Sequence, residues 1–371
     1  MDEKKVVLFA RSSKSHNLSM GIVGLPNAGK STLFNFLTKS TVPAENYPFC
    51  TIDPSEGRVE IEDERMDFLV EKYKPQNVKK AYLSITDIAG LVKGASIGLG
   101  LGNHFLDHIR NVDGIFHVVR CFEDPNVAHF EDTVYPIRDI DTVNEELRLK
   151  DLETLSKHAE KMQKEIRAKT LDKKLKDQVL LVDRLLEILK VEWVNQHTFK
   201  DDEIAYISTL NLLTVKNVVY LANISDEDYE QRRLNKHVRA VIKKYGADVI
   251  VFSAAYESRS ESRVFLEKVI KKGYELLNLI NFFTVGHDEV KSWIIRRGSS
   301  APCAGGVIHS DFKNYFIMAE VMSFEDFKEY GSEVEVKKAG KYYQRGKAYI
   351  VNDGDIILFK NNPPKSGSKK K

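Results

Sequence analysis

Apolar and polar positions change rhythm several times along this chain, and each change marks a different kind of structure. From Ser19 to about Arg120, short apolar runs alternate with segments of helical periodicity. Met20-Gly21-Ile22-Val23, Ala81-Tyr82-Leu83-Ser84-Ile85-Thr86 and Gly114-Ile115-Phe116-His117-Val118-Val119 read as strands. Thr32-Leu33-Phe34-Asn35-Phe36-Leu37 reads as the start of a helix. Strands interleaved with helices predict a parallel sheet in an α/β domain. From Ile140 to Lys190 the chain nearly loses Gly and Pro, and Ile140, Val143, Leu147, Leu152, Leu155, Met162 and Ile166 recur at helical spacing. Leu181, Leu185 and Ile188 resume that spacing after a weak stretch at Lys169-Thr170-Leu171-Asp172, which predicts an antiparallel pair of long helices.

The α/β rhythm then returns in Asn217-Val218-Val219-Tyr220-Leu221-Ala222 and Asp248-Val249-Ile250-Val251-Phe252. The helical pair is therefore an insertion within the first domain, not a unit that follows it. After Asn281, short strands, turns, aromatics and glycines predict a small α+β domain. The expected division is an α/β domain at 18–138 and 206–280, an inserted helical hairpin at 139–205, a C-terminal domain at 281–360, and a disordered Pro/Ser/Gly/Lys tail at 361–371.

Composition narrows the class only modestly. The chain has 371 residues, 42% hydrophobic and 30% charged, with a net charge of +2. That balance gives no global nucleic-acid signal. Its 3 cysteines, Cys50, Cys121 and Cys303, are far apart, with no Cys-x-x-Cys pair. A disulfide framework and a zinc site are not expected, and a reducing compartment is. The first residues lack an apolar stretch long enough for a signal peptide, and no run reaches membrane-spanning length. A cytoplasmic protein with no membrane partner is the expectation.

Chemistry enters at Gly24-Leu25-Pro26-Asn27-Ala28-Gly29-Lys30-Ser31, which reads G-x-x-x-x-G-K-S between a strand and a helix. The glycines let successive backbone N–H groups face a triphosphate at a helix N-terminus. Lys30 reaches the β and γ phosphates, and the Ser31 hydroxyl joins a Mg²⁺ shell. Asp87-Ile88-Ala89-Gly90 supplies D-x-x-G at a strand end, where the Asp faces the metal and the Gly N–H meets the γ-phosphate. Thr51, in the intervening loop, is a candidate second Mg²⁺ ligand. Asn223-Ile224-Ser225-Asp226 stands where GTPases carry N-K-x-D, and Ser253-Ala254-Ala255 where they carry S-A-K. Two departures matter. Leu91 replaces the glutamine that orients water in Ras-like enzymes, so another group positions the water or hydrolysis is slow. Ile224 replaces the lysine of N-K-x-D, while Asp226 keeps a carboxylate able to read guanine, so the base site is ambiguous.

In these motifs the chain resembles the YchF/Obg-like ATPase family over almost its whole length. The marks are Gly21 through Asn27, Ala44-Glu45-Asn46-Tyr47-Pro48-Phe49-Cys50-Thr51-Ile52, Asp87 through Ala95, and Gly100-Leu101-Gly102-Asn103. Ala339-Gly340-Lys341 and Asp353-Gly354-Asp355 resemble its C-terminal TGS domain, a β-grasp module. The segment Val112 through His117 resembles the eukaryotic members in particular. The resemblance implies a P-loop NTPase G domain with an inserted α-helical coiled-coil hairpin and a C-terminal β-grasp domain. It also implies ATP preferred over GTP, Mg²⁺, and association with ribosomes. Carried onto this chain, Asn27, Ala28, Gly29, Lys30, Ser31 and Thr32 form the phosphate cradle. Ser31 and Thr51 bind Mg²⁺ and Asp87 stands behind it, while Asn223, Ile224, Asp226, Ser253, Ala254 and Ala255 serve the base.

The family's histidine after R-C-F-E corresponds to His129 here, which the resemblance makes catalytic beside Lys30. His104 and His108 are alternatives, and a plain surface histidine is another. One departure bears on the substrate: the family's Glu is here Asp226, so a GTPase of the same architecture stays open beside an ATPase. A nucleotide-binding scaffold without turnover is the third reading. Asn27 either helps hold K⁺ beside the phosphates or braces the loop, and Gly94 to Gly102 is either a switch or a connector. The hairpin's Lys157, Lys161, Lys164, Arg167, Lys169, Lys173, Lys174 and Lys176 either meet rRNA phosphates or form a solvated face. The same alternatives hold for Lys369-Lys370-Lys371, and for Arg296, Arg297 and Lys313 near Trp293 and Tyr315. A monomer is expected.

Overall fold

A computed structural model describes residues 18–39, 56–88, 101–129, 133–168, 173–260 and 262–362. Thr51, Gly90, Leu91, the Gly94–Gly102 loop apart from the first helical residues, and Lys369–Lys371 lie outside the described residues, as do the side chains of His104 and Arg167. The first part of the chain forms β1 (Ser19–Val23), α1 (Lys30–Thr38), β2 (Glu56–Glu60), α2 (Glu64–Tyr73), β3 (Asn77–Lys79), β4 (Tyr82–Asp87), α3 (Leu101–Asn111) and β5 (Gly114–Arg120). Next come α4 (Pro136–Ala168), α5 (Lys173–Ile188), α6 (Asp201–Leu210), β6 (Asn217–Asn223), α7 (Asp226–Glu230) and α8 (Lys236–Tyr245). β7 (Val249–Phe252), α9 (Ala254–Arg259), α10 (Val264–Leu276), β8 (Leu279–Thr284) and β9 (Glu289–Arg296) follow. The chain closes with α11 (Ala301–Ile308), α12 (Ser310–Asn314), β10 (Phe316–Ser323), α13 (Phe324–Tyr330), α14 (Glu333–Lys338), β11 (Tyr343–Arg345) and β12 (Asp355–Asn361).

The chain divides into two compact units, the first built from residues up to Val59 with Leu83–Leu276, the second from Glu60–Tyr82 with Leu277 onward. In the first unit a six-stranded sheet runs β2-β4-β1-β5-β6-β7. β1 pairs in parallel with β4 and β5, β5 with β6, and β6 with β7. Its central strands are buried on both faces, as parallel strands between helices must be: every residue of β5 is buried. Met20, Ile22 and Val23 of β1 are fully inaccessible.

The insertion is larger than a hairpin. α4 and α5 form the expected pair, but α6 shares their core: Leu155, Met162, Leu181, Leu185 and Phe199 cluster with Ile207. The expected boundary between residues 205 and 206 therefore falls inside α6, whose apolar face packs into that cluster through Ile204, Ile207 and Leu210. The return into the sheet is tied down at Asp151, a fully buried carboxylate in α4. It accepts from the backbone N–H of Leu213 (2.9 Å) and Thr214 (2.7 Å) and from Thr214 Oγ1 (2.8 Å).

In the second unit another six-stranded sheet runs β11-β10-β12-β8-β9-β3 and is mixed. β8–β9, β10–β12 and β10–β11 are antiparallel, whereas β12–β8 and β3–β9 are parallel. Successive side chains point to opposite faces of a strand, and here both faces are covered. Phe282, Val321 and Ile357 pack with Ala301 and Ala304 of α11. Their neighbours Phe283, Met322 and Ile356 pack with Met66 and Leu69 of α2 and with Phe324, Phe327 and Val336. That second face explains a departure from the expected division. Residues 60–82, read from sequence as part of the first domain, supply α2 and β3 to the second unit, because its sheet needs a helix there. The expected start of the tail at 361 also shifts: Asn361 is the last residue of β12 and pairs with Phe316.

Candidate functional site

The candidate residues gather at the C-terminal ends of the parallel strands, the place where open α/β sheets hold ligands. Strand register does the gathering. Ile22 lies opposite Asp87, Val23 opposite His117, Arg120 opposite Asn223, and Asn223 opposite Phe252. Groups far apart in sequence are thereby brought beside the turn that leaves β1.

That turn is built for close backbone approach. Gly24 has φ +155°, and a Cβ there would meet the Val118 carbonyl oxygen at 2.3 Å. Gly29 has φ +101°, and its Cβ would sit 2.4 Å from Asn223 Nδ2. Neither position has room for a side chain. Asn27 takes a left-handed conformation at φ 62°, which Asn tolerates better than most residues. Gly29 then opens α1, whose first residue is Lys30.

Lys30 is buried, and its Nζ donates to the Leu25 carbonyl at 2.9 Å. Burial pulls its pKa down to about 8, an effect the Asp87 carboxylate only partly offsets. Ser31 Oγ donates to Asp87 Oδ2 at 3.0 Å. The other carboxylate oxygen, Oδ1, is buried with no hydrogen-bond partner among the described residues. Burial pushes the Asp87 pKa above its ordinary value, against the lowering effects of Ser31 and Lys30. A buried acceptor without a partner is costly, and a divalent cation beside Ser31 and Asp87 would satisfy it, so these residues fit Mg²⁺. Thr32 is exposed next to Ser31, and the remaining expected ligand, Thr51, lies outside the described residues. Behind the loop, His117 is buried, and burial together with the Lys30 charge lowers its pKa to about 3.

The expected base-site residues divide by role. Asn223 is a brace: its Nδ2 donates to the Ala28 carbonyl at 2.9 Å, and its Oδ1 accepts from the Ala254 N–H at 2.9 Å. It thus joins the phosphate loop to the turn after β7. Ile224 does not present a surface to a base. It is 3% exposed and packs with Val119, Ile140, Val238 and Val241. A residue alternating with Asn223 along the chain must point the other way, into the core. Asp226 is half-buried, and both its oxygens are engaged: Oδ1 accepts from Ser253 Oγ and Oδ2 from Arg259 Nη2. Ser253 is the buried N-cap of α9, Ala254 is buried behind it, and Ala255 is exposed.

His129 is held away from open solvent. Its Nε2 is hydrogen-bonded to Asp139 Oδ2 at 2.9 Å, and its side chain is only 6% exposed. The loop that carries it touches the phosphate loop, because Asn27 Nδ2 donates to the Ala128 carbonyl at 3.1 Å. His108 lies exposed on α3. A cavity of about 740 Å³ beside this loop is lined by Arg120, Glu123, Asp124, His129 and His237 among others. The sequence reading missed the organiser of the loop. Arg120, buried at the end of β5, donates to the carbonyls of Phe122, Asp124, Val127 and Ala128. An arginine closing a strand that is apolar apart from His117 was the available signal.

The chain is similar to known proteins over nearly its whole length. Residues 19–166 match the family model MMR_HSR1, described as 50S ribosome-binding GTPase. Residues 279–362 match YchF-GTPase_C, described as a protein of unknown function (DUF933). The chain is 48% identical over 375 residues to Obg-like ATPase 1 of Oryza sativa subsp. japonica, covering 96% of this chain and 95% of the relative. It is 48% identical over 382 residues to Obg-like ATPase 1 of Homo sapiens, covering 95% of each. Among solved structures, the Schizosaccharomyces pombe YchF GTPase superposes with a TM-score of 0.81 at 41% identity, covering 94% of this chain and 99% of the other.

Proposed function

Because the chain belongs to the YchF family of Obg-like ATPases, we propose that it is a Mg²⁺-dependent nucleotide hydrolase that prefers ATP to GTP and works as a slow, ribosome-associated switch. The observation that carries the reading is the pairing of Ser31 with Asp87 beside the buried Lys30. A hydroxyl, a carboxylate with an oxygen to spare and a lysine at the head of a helix together suit a metal–triphosphate. Mg²⁺, when bound, neutralises charge that develops on the phosphates. The protein's own part is electrostatic and positional. Lys30 exchanges the Leu25 carbonyl for phosphate oxygens, and the N–H groups from Asn27 through Thr32 cradle the anion.

In this reading His129 is the group that orients the water, exchanging Asp139 for it as the loop moves. The Asn27–Ala128 hydrogen bond supports that role, since it keeps the loop at the phosphate cradle. Asn27 spends its amide nitrogen on that brace, which leaves Oδ1 as its atom for a K⁺ ion. ATP preference is supported by the names of the relatives and by Asp226, whose oxygens are already taken. The ribosomal role draws on the description of the matched family model. No described helix is long and apolar enough to cross a membrane, and we place the protein in the cytoplasm as a monomer, with the C-terminal unit as its TGS-type β-grasp module.

Turnover of ATP by the full-length chain, with Mg²⁺ or with EDTA and with or without ribosomes, tests the proposal. Slow Mg²⁺-dependent release of phosphate, accelerated by ribosomes, is expected. Absence of turnover in every condition would instead favour a nucleotide-binding scaffold.

A further inference from the structure

Guanine and adenine present opposite patterns at the edge an N-x-x-D aspartate reads. Guanine offers two donors, N1–H and the 2-amino group, which a carboxylate with both oxygens available accepts together. Adenine offers one donor, its 6-amino group, beside an acceptor, N1, that repels a bare carboxylate. An unencumbered aspartate therefore selects guanine. One whose charge is neutralised and whose second oxygen is occupied loses that selectivity.

Asp226 is of the second kind, and the two ends of one short helix make it so. Ser253, the N-cap of α9, donates to Oδ1, and Arg259, the last residue of α9, pairs with Oδ2. The serine contact is neutral and leaves the carboxylate charged. The arginine sets a positive charge against it and takes the oxygen that guanine would need. Nothing in the packing requires this pair. The Arg259 side chain is 67% exposed and that of Asp226 28%, so the contact adds little to folding. What it changes is the availability of a carboxylate at the base site.

We infer that Arg259 is the specificity-determining residue of the base site: its ion pair with Asp226 withholds the carboxylate from guanine and sets the preference for ATP. The inference rests on the reading that the chain prefers ATP. Arg259 acts through Asp226 and is a positioning residue with no part in phosphate transfer.

The test is competition of unlabelled ATP and GTP against a fluorescent nucleotide with Mg²⁺ present. It uses the full-length wild-type chain, Arg259→Gln, Arg259→Lys and the double variant Arg259→Gln/Asp226→Asn. Arg259→Gln is expected to move the GTP-to-ATP affinity ratio about fivefold toward GTP, which is about 1 kcal/mol, the upper end for displacing an exposed ion pair. Arg259→Lys, which keeps the positive charge, recovers most of the wild-type ratio, and the double variant cancels the shift because the freed carboxylate is gone. An unchanged ratio in Arg259→Gln overturns the inference, as does a shift that persists in the double variant. The wild-type ratio reports separately on the ATP reading: GTP winning there, with a further gain for GTP in Arg259→Gln, sinks that reading and keeps Arg259 as the brake on guanine.

Discussion

Asp87 and Asp63 are both half-buried carboxylates near strand and helix ends, one in each unit, and their surroundings are completed to different degrees. Asp63 is the N-cap of α2. It accepts from Arg65 Nη2 at 2.8 Å, Arg65 Nε at 2.9 Å and Asn281 Nδ2 at 3.1 Å. Arg65 is shared with Asp353 at 3.1 Å, and Asp353 Oδ1 in turn accepts from the Asn281 N–H at 2.9 Å. Burial alone would raise the Asp63 pKa, but these partners hold it below its ordinary value. Asp87 has one donor, Ser31, and an oxygen with no partner among the described residues, and its pKa is raised. A closed polar cluster serves the fold, whereas an open one leaves an acceptor for a ligand to satisfy.

The contrast is broken most severely at Lys30. Lys30→Ala should weaken nucleotide binding a hundredfold or more, about 2.8 kcal/mol, because a charge-assisted contact to phosphate is lost. Titration calorimetry would show it, with the melting temperature unchanged or higher. A binding loss below threefold would mean that Lys30 does not face the phosphates.

Asp63→Asn is the converse experiment. It should cost about 1.5–3 kcal/mol of stability in urea unfolding, the range for hydrogen bonds to a charged group, and leave nucleotide affinity unaltered. The sign in pH follows from the lowered folded-state pKa. Asp63 contributes stability above its unfolded pKa, and that contribution is lost as pH falls through the folded value. The mutant should therefore lose the acid-side part of the wild-type stability profile.

Asp87→Asn sharpens the comparison from the other side. Removing a carboxylate whose ionised form is disfavoured by burial should leave the nucleotide-free protein as stable or more so, by roughly 0.5–2 kcal/mol, while Mg²⁺ no longer improves nucleotide binding. If the variant melts lower without ligand, Asp87 is a structural group like Asp63.

The mildest perturbation is a change of pH. Lys30 has a free-state pKa near 8, and bound phosphate would raise it. Affinity should therefore fall as pH rises through 8, by up to about tenfold per unit, with a proton taken up on binding. Calorimetry in buffers of different ionisation enthalpy measures that proton, and Lys30→Ala should remove it.

How much of this was legible from sequence depends on the distance between partners. The phosphate cradle was readable because strand, glycine turn, lysine and helix lie in one continuous stretch, Met20 to Leu37, whose local rules admit few other structures. The parallel sheet and the helical insertion were readable from periodicity. By contrast, the inward turn of Ile224, the brace made by Asn223, the closure of Asp226 by Arg259 and the four-carbonyl grip of Arg120 depend on side-chain direction and strand register. So does the transfer of α2 to the second unit, which follows from a sheet face that only exists once β8, β10 and β12 are assembled.

The sequence by itself determined that a glycine turn would join a strand to a helix headed by Lys30, and at which strand end. Tertiary structure decided which of the remaining polar groups were left available to a ligand. Backbone conformation follows from neighbours in the chain, but the free valence of a carboxylate depends on whichever side chains the fold brings within hydrogen-bonding reach.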